Sequence, residues 1–267
     1  MLPSIVTRHN QMKLRKTTRR RFIALLLVGT PAVLVADVFW IEPHWLKTRV
    51  IRLCTGKPTL RVAHFTDLHY KGDKKFTLRL VARINRLEPD VVCFTGDLID
   101  EPVHLPEALE LLGQIKAPLY GVPGNHDFWG QTNFDLIRDA FASTGGRWLM
   151  DESVRTADGN TTIHGAAARP PTFEPNPETK NILLMHYPDW VEQVCTGKFD
   201  LILAGHSHGG QVRLPFVGPV IQTFHAGKYV RGLYPTSAGP LYVGSGVGWF
   251  YTRARFNCRP EIALIEL

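Results

Sequence analysis

Cysteine is scarce and poorly spaced for metal. Cys54, Cys93, Cys195 and Cys258 are the four in 267 residues, with no Cys-x-x-Cys pair among them, which excludes a zinc-ribbon framework. Internal repeats and low-complexity tracts are also missing, and the 44% apolar content is that of a chain able to bury one good core. Acid is absent from residues 1–21, where Arg8, Lys13, Arg15, Lys16, Arg19, Arg20 and Arg21 supply seven cations. Taking those seven from 31 Lys and Arg leaves 24, matched by 24 Asp and Glu, so residues 22–267 are formally neutral although the chain carries +7. A phosphate-backbone binder carries its positive charge on the folded domain. Nucleic acid is therefore not an expected partner, and no protein partner is indicated.

What stands at the N-terminus is a basic run followed by an apolar stretch from Phe22 to Trp40, broken by Gly29, Thr30, Pro31 and Asp37. That order marks a signal or an N-terminal anchor, and Arg19-Arg20-Arg21-Phe22-Ile23 is similar to a twin-arginine export signal. The stretch is about long enough to span a bilayer. Leu34-Val35-Ala36 makes a poor small-x-small cleavage site, so an uncleaved anchor is expected; an amphipathic start lying on the membrane surface is the alternative. Seven cations before the apolar stretch favour a cytoplasmic N-terminus and an extracytoplasmic, periplasmic domain. Lys47, Arg49, Arg52, Lys57 and Arg61 reduce that asymmetry and leave the cytoplasmic membrane face as the alternative. In an exported domain Cys54 and Cys258 could pair.

The expected organisation is a leader over 1–40, a connector over 41–58 and one domain over 59–267. Strands at 60–66, 91–95 and 119–123 alternate with helices at about 77–87, 105–115 and 133–143, which predicts βαβ units and a parallel sheet. The first of these helices is expected to bury Leu78, Val81, Ala82 and Ile84 and to leave Arg79, Arg83 and Arg86 in solvent. Short β-like runs at 153–157, 161–166, 181–186, 200–204, 211–214, 240–244 and 261–266 then predict a second, mixed or antiparallel sheet. The fold class is α/β: a sandwich of two sheets flanked by helices, with an irregular proline-rich loop at 169–178.

Five blocks of ligand-type residues stand at the ends of apolar runs. They are Asp67-Leu68-His69, Gly96-Asp97, Gly124-Asn125-His126-Asp127, His186 and Gly205-His206-Ser207-His208. A lone Asp-x-His or His-x-His is usually packing or surface chemistry, but five ordered blocks, each following a strand-like run, form a joint site. Alternate residues at a strand end point the same way, so Asp67 with His69, and His206 with His208, can each grip an ion. Asp97 has two oxygens and can bridge two cations, which sit about 3.5–4 Å apart in two-metal sites. Asn125 adds a neutral oxygen, a ligand that brings no further negative charge. The mixture of carboxylate, carbonyl and imidazole suits Mn, Zn, Fe or Co. Among the other histidines, His64 is expected to be buried and His225 to approach the site from the Pro215–Tyr229 loop. Asp100 is expected to start a helix or to support a ligand.

The order of these blocks resembles the calcineurin-like metallophosphoesterase family over roughly residues 60–267. Ala204-Gly-His-Ser-His-Gly-Gly-Gln211, Asn257-Cys-Arg-Pro-Glu261 and the leader are similar to its small bacterial membrane-associated phosphodiesterase branch. The resemblance implies a metallophosphoesterase-type sandwich of two mixed β-sheets and two divalent ions, Mn, Zn or Fe. One ion would be held by Asp67, His69, Asp97 and His208, the other by Asp97, Asn125, His186 and His206. It implies a metal-activated water attacking phosphorus, with His126 protonating the leaving oxygen and Asp127 orienting its ring. Ser245-Gly246-Val247-Gly248 departs from the branch's Arg-Gly-x-Gly turn, so Arg253 or Arg255 is the expected substitute for a phosphate-binding cation. Trp249, Phe250 and Tyr251 read as core, or else as an apolar lip for a lipid or base. The implied substrate is a phosphodiester. A pyrophosphate of a nucleotide-linked lipid such as UDP-2,3-diacylglucosamine is the second option, and a non-catalytic metal-binding scaffold the third.

Overall fold

The computed structural model describes residues 18–267. Arg8, Lys13, Arg15 and Lys16 of the expected leader lie outside the described residues. In chain order the elements are α1 (Arg19–Ala36), β1 (Lys47–Arg52), β2 (Arg61–Phe65), α2 (Lys74–Arg86), β3 (Val91–Thr95), α3 (Leu105–Leu112), β4 (Leu119–Val122), α4 (Asn125–Trp129), α5 (Phe134–Ser143) and β5 (Arg147–Trp148). They continue with β6 (Glu152–Arg155), β7 (Thr161–Ala166), β8 (Lys180–Met185), β9 (Leu201–Ala204), β10 (Arg213–Leu214), β11 (Gly218–Pro219), β12 (Gly232–Thr236), β13 (Gly239–Val243) and β14 (Glu261–Glu266).

Two six-stranded mixed sheets form the expected sandwich, in the orders β1-β14-β2-β3-β4-β5 and β12-β13-β9-β8-β7-β6. Successive residues of a strand face opposite sides of the sheet, and β3 shows the consequence. Val91 and Cys93 face the layer between the sheets, with Val62, Tyr120, Ile163, Ile182 and Leu203, while Val92 and Phe94 face the helices. Both layers are dry, which is why the run Val91–Phe94 is apolar throughout and not alternating. α2 and α3 cover the outer face of the first sheet through Leu80, Ile84, Leu111 and Leu112. The outer face of the second sheet is closed by Trp190, Val191 and Tyr229.

Four sequence expectations change. The run at 211–214, expected in the second sheet, gives β10, which pairs with β11 in a separate two-stranded sheet. Residues 41–58, expected as a connector, contain β1, which pairs in parallel with β14. Its run of cations hid the strand, and those cations are spent along one edge, Arg49 on Glu261 at 3.0 Å and Arg52 on Glu266 at 2.8 Å. β14 belongs to the first sheet, where it lies antiparallel to β2, and not to the second. α2 starts at Lys74, three residues earlier than expected, because the Asp73 carboxylate accepts from the Phe76 amide and caps it. Its buried face is therefore Phe76, Thr77, Leu80, Val81 and Ile84, with Leu78 and Ala82 in solvent. The arginines at 79, 83 and 86 are exposed as expected.

α1 continues through Pro31 and, with the irregular turns after it, runs from Arg19 to His44. Among the described residues it is the one helix long and apolar enough to cross a membrane. Its far end is tied to the sandwich: the Arg255 amide donates to Val38 O at 2.9 Å, and Glu42 accepts from the amides of Asn257 and Cys258. All four cysteines are free, and buried Cys258 turns its thiol to His208 O, away from Cys54.

Candidate metal centre

All five blocks arrive at one rim of the sandwich, from the C-terminal ends of β2, β3 and β4 in the first sheet and β8 and β9 in the second. The backbone that carries them is tightly wound. Asp67, His69, Asp97, His206 and His208 all have positive φ, between 41° and 66°. Non-glycine residues held there cost of order 1–3 kcal/mol each and persist where surrounding structure enforces them. Two glycines make the convergence possible. A Cβ on Gly124 would stand 2.1 Å from Asp97 Oδ1, and one on Gly96 (φ 93°) would stand 2.6 Å from His186 Nδ1.

Asp97 is the hub. Its Oδ2 lies 3.4 Å from His69 Nε2 and 3.3 Å from His186 Nε2, while Oδ1 accepts from the His126 amide at 2.8 Å. On one side stand Asp67 and His208, with His208 Nε2 3.1 Å from His69 Nε2 and 3.5 Å from Asp67 Oδ1. On the other stand Asn125 and His206: His186 Nε2 is 3.1 Å from Asn125 Oδ1 and 3.1 Å from His206 Nδ1. The ligand atoms of Asp67, His69, Asp97 and His208 all lie within 4.8 Å of one another, as do those of Asp97, His186 and His206.

Outer hydrogen bonds set the imidazole tautomers. His69 Nδ1 faces Asp100 at 2.6 Å, His186 Nδ1 faces Thr95 O at 2.7 Å and His206 Nε2 faces Phe224 O at 2.6 Å. Each outer nitrogen is a donor, so in the neutral ring each inner nitrogen presents a lone pair to the centre. Lone pairs facing each other at 3.1 Å repel unless a proton or a cation stands between them. Asp67 Oδ2 is buried with no hydrogen-bond partner, the kind of orphan that calls for a missing ligand. The donor set fits divalent cations.

Protons and cations compete for this space. Burial alone would lower the pKa of His69, but its bonds to Asp100 and Asp97 raise it to about 9. His186 rises to about 9 in the same way, the charge of Asp97 overcoming burial. Burial, with the repulsion of His186, takes His206 down to about 3. Raised histidines stabilise the chelated protein fully below about pH 6.5, their unfolded value, and that contribution is lost as pH rises through 9. A cation must displace those protons, so its affinity grows over the same window. The stabilisation by 1 mM MnCl₂ over a chelated sample, read as a gain in Tm, is therefore expected to widen from pH 6.5 to pH 8.5, by up to about 1.4 kcal/mol per displaced proton per pH unit. Differential scanning fluorimetry measures it, and a gain that shrinks over that range contradicts these protonation states.

Two sequence assignments fail here. Asp127 does not touch the His126 ring. It is buried and accepts from the amides of Asp97, Leu98 and Gly124 at 2.8–2.9 Å, pinning two site loops together. The carboxylate that orients His126 is Asp100, whose Oδ1 lies 2.8 Å from His126 Nδ1 as well as 2.6 Å from His69 Nδ1. Its Oδ2 meets Lys71 Nζ at 2.5 Å. Burial would raise the Asp100 carboxyl, but these bonds hold it well below the usual range. The expectation that Asp100 supports a ligand is met at His69, whereas nothing in the sequence pointed to its contact with His126.

Arg255 is not free to take a phosphate, whereas Arg253 stands in a half-exposed ion pair. Arg253 pairs with Asp73 on the surface near His44. Arg255 is fully buried, and its guanidinium donates to the carbonyls of Ser245, Gly246, Gly248 and Cys258. It thus holds the turn at 245–248, whose Val247 and Gly248 amides donate to Thr66 O and Asp67 O behind the metal ligands. The turn where an arginine was expected and Ser245 stands is braced by a different arginine. Phe250 is not core. Its ring centroid is 5.1 Å from that of His126 and within 6.2 Å of those of His69 and His208, so it roofs the centre. His64 is buried as expected, and His225 approaches the site from its loop as expected, packing on Tyr187, which also packs on His206, while its Nδ1 pairs with Asp189.

A two-sheet sandwich with carboxylate and imidazole ligands gathered at its strand ends defines a metal-dependent phosphoesterase. Residues 60–210 match the calcineurin-like phosphoesterase family, more than half of the chain. The chain belongs to that family and is a hydrolase acting on phosphoesters; the family implies divalent metal ions, which the buried Asp/His groups are able to hold. The phosphodiesterase YaeI of Escherichia coli K12 is 30% identical over 274 residues, 94% of this chain and 99% of that protein. The metallophosphoesterase YkuE of Bacillus subtilis 168 is 29% identical, covering 85% of this chain and 87% of its own. The UDP-2,3-diacylglucosamine pyrophosphatase LpxG of Chlamydia trachomatis serovar D is 26% identical, covering 85% and 90%.

Proposed function

We propose that this chain is a two-metal phosphodiesterase that works on substrates presented at a membrane surface. The observation that carries the reading is the convergence of inner-facing lone pairs on both sides of Asp97 Oδ2. Asp67, His69, Asp97 and His208 would hold one divalent ion and Asp97, Asn125, His186 and His206 the other, with Asp97 shared. Mn, Zn and Fe all suit this set. Bound there, the ions would supply Lewis-acid polarisation of the phosphoryl oxygens and acidify water to a nucleophile at neutral pH.

The chain's own residues do the rest. Asn125 contributes an uncharged oxygen beside a dianionic region, which leaves room for a phosphate's charge. Asp100 grips His126 at Nδ1 and so turns Nε2 to the far side of the ring, 15% of the side chain being open to solvent. A proton on Nε2 can then pass to the departing oxygen. Phe250 excludes water over the same ring. α1 would anchor the domain, and the cations Arg19, Arg20 and Arg21 in its first turn favour a cytoplasmic N-terminus with the catalytic domain outside.

The identity to LpxG favours a second reading, hydrolysis of the pyrophosphate of a nucleotide-linked lipid. Full-length protein reconstituted with Mn²⁺ and assayed on bis(p-nitrophenyl) phosphate, cyclic nucleotides and UDP-2,3-diacylglucosamine separates the readings. Phosphodiesters hydrolysed faster than the UDP-linked lipid are expected. Preference for the UDP-linked lipid selects the second reading. Two bound metals with no turnover on any of them would leave only a non-catalytic scaffold.

A further inference from the structure

The segment Leu214–Phe224 reads Leu-Pro-Phe-Val-Gly-Pro-Val-Ile-Gln-Thr-Phe, eleven residues without a charge. It is not buried. β10 and β11 form a small hairpin with Leu214 opposite Gly218, and Leu214, Phe216, Val217, Val220, Ile221 and Phe224 all point into solvent, Phe216 and Phe224 almost wholly. Single exposed apolar residues are ordinary, but a contiguous group of this size on one projecting loop marks an interaction surface.

Its position says what covers it. The hairpin and the foot of α1 hang from the same short segment. The Arg213 amide donates to Phe256 O at 2.9 Å and the Phe256 amide to Gln211 O at 3.0 Å, while the neighbouring Arg255 amide donates to Val38 O at 2.9 Å. At that end of α1 the exposed residues are Phe39, Trp40, Ile41 and, just beyond, Trp45. Aromatic side chains at the end of an apolar helix mark the level of the headgroups. The uncharged hairpin thus stands beside the helix where the helix would leave a bilayer. Its other end reaches the metal centre, since Phe224 O accepts from His206 Nε2 at 2.6 Å.

We propose that the Leu214–Phe224 hairpin is a second membrane contact, inserting Phe216, Val217, Val220 and Ile221 into the outer few ångströms of a lipid leaflet, the depth at which peripheral apolar groups sit. It rests on the membrane-surface reading and narrows the substrate class to amphiphilic phosphoesters whose phosphate lies at headgroup level. A helix alone leaves the domain free to swivel. A helix and a hairpin together hold the rim that carries the metal centre towards the leaflet.

The test labels the full chain at Val217→Cys with the fluorophore NBD, after Cys54→Ser and Cys195→Ser, and uses the same label at Leu136→Cys on α5 as reference. Each protein is placed in nanodiscs of phosphatidylcholine and phosphatidylglycerol and in detergent. Insertion is expected to raise emission at 217 at least threefold in nanodiscs, with quenching by a shallow doxyl lipid at least twice that at 136. Emission and quenching at 217 equal to those at 136 overturn the proposal. A rise in detergent that grows with protein concentration and ignores lipid also overturns it, assigning the hairpin to contact with a second copy. Hydrolysis of bis(p-nitrophenyl) phosphate by the labelled protein reports the metal centre separately, so loss of insertion with that activity intact refutes the hairpin and not the hydrolase.

Discussion

Asp97→Asn is expected to lower phosphodiester turnover by on the order of 10³-fold or more, about 4 kcal/mol of transition-state stabilisation, and to leave the purified protein with fewer than two metals per chain. Asparagine keeps the shape and one oxygen but removes the charge that both halves of the centre share. Asp97 Oδ2 stands 3.4 Å from His69 Nε2 and 3.3 Å from His186 Nε2, so the substitution acts on both halves of the centre. The same residue matters to the chelated protein. Burial would raise its carboxyl, but His186 and His69 hold it well below the usual range. A carboxylate lowered in this way stabilises the fold above about pH 4, its unfolded value, and that contribution goes in the variant at neutral pH. A lower Tm is therefore expected along with the lost activity, and thermal melts with and without chelator separate the two effects. Metal analysis by mass spectrometry decides the matter: two ions retained and turnover within tenfold of the parent would remove Asp97 from its bridging role.

The strands that carry ligands could be read from the sequence because their signal is local. β2, β3, β4, β8 and β9 are buried on both faces, which makes them short apolar runs, and each is punctuated by the ligands that follow. β1 and β12 gave no such signal. β1 is an edge strand whose Arg49 and Arg52 are neutralised by Glu261 and Glu266, over two hundred residues away in sequence. β12 is an exposed edge carrying Pro235. The place of β14 was equally hidden, since an apolar run does not say which sheet it joins. The ligand types were legible, whereas the partners of the carboxylates were not. Asp127 and Asp100 have similar sequence settings just beyond ligands, yet the loop backbone delivers three amides to one and two imidazoles to the other. Positive φ at five ligand-type residues was invisible for the same reason: neither Asp nor His announces it, and the winding is enforced by neighbours such as Gly96 and Gly124.

The remaining large effect belongs to His126. His126→Ala is expected to lower turnover by roughly 10²–10⁴-fold, the usual contribution of a positioned proton donor, while both metals stay bound. The separation follows from the geometry. The His126 ring turns its Nδ1 to Asp100 and not to Asp97 or Asn125, so the inner ligand atoms lose nothing when it is removed. The loss should also depend on what leaves phosphorus. p-Nitrophenolate departs without a proton, so bis(p-nitrophenyl) phosphate should lose the least, whereas an alkyl phosphodiester, whose alkoxide needs protonation, should lose the most. Asp100→Asn provides the contrast, because Asp100 holds both His126 and the ligand His69 through one oxygen. It should weaken metal binding, by about 10–100-fold for a lost outer partner, and so slow both substrates, the alkyl phosphodiester further because His126 also loses its partner. If His126→Ala slows the two substrates equally while keeping its metals, the ring positions the phosphate instead of delivering a proton. If it sheds its metals, His126 supports the ligand loops, and the proton must come from elsewhere.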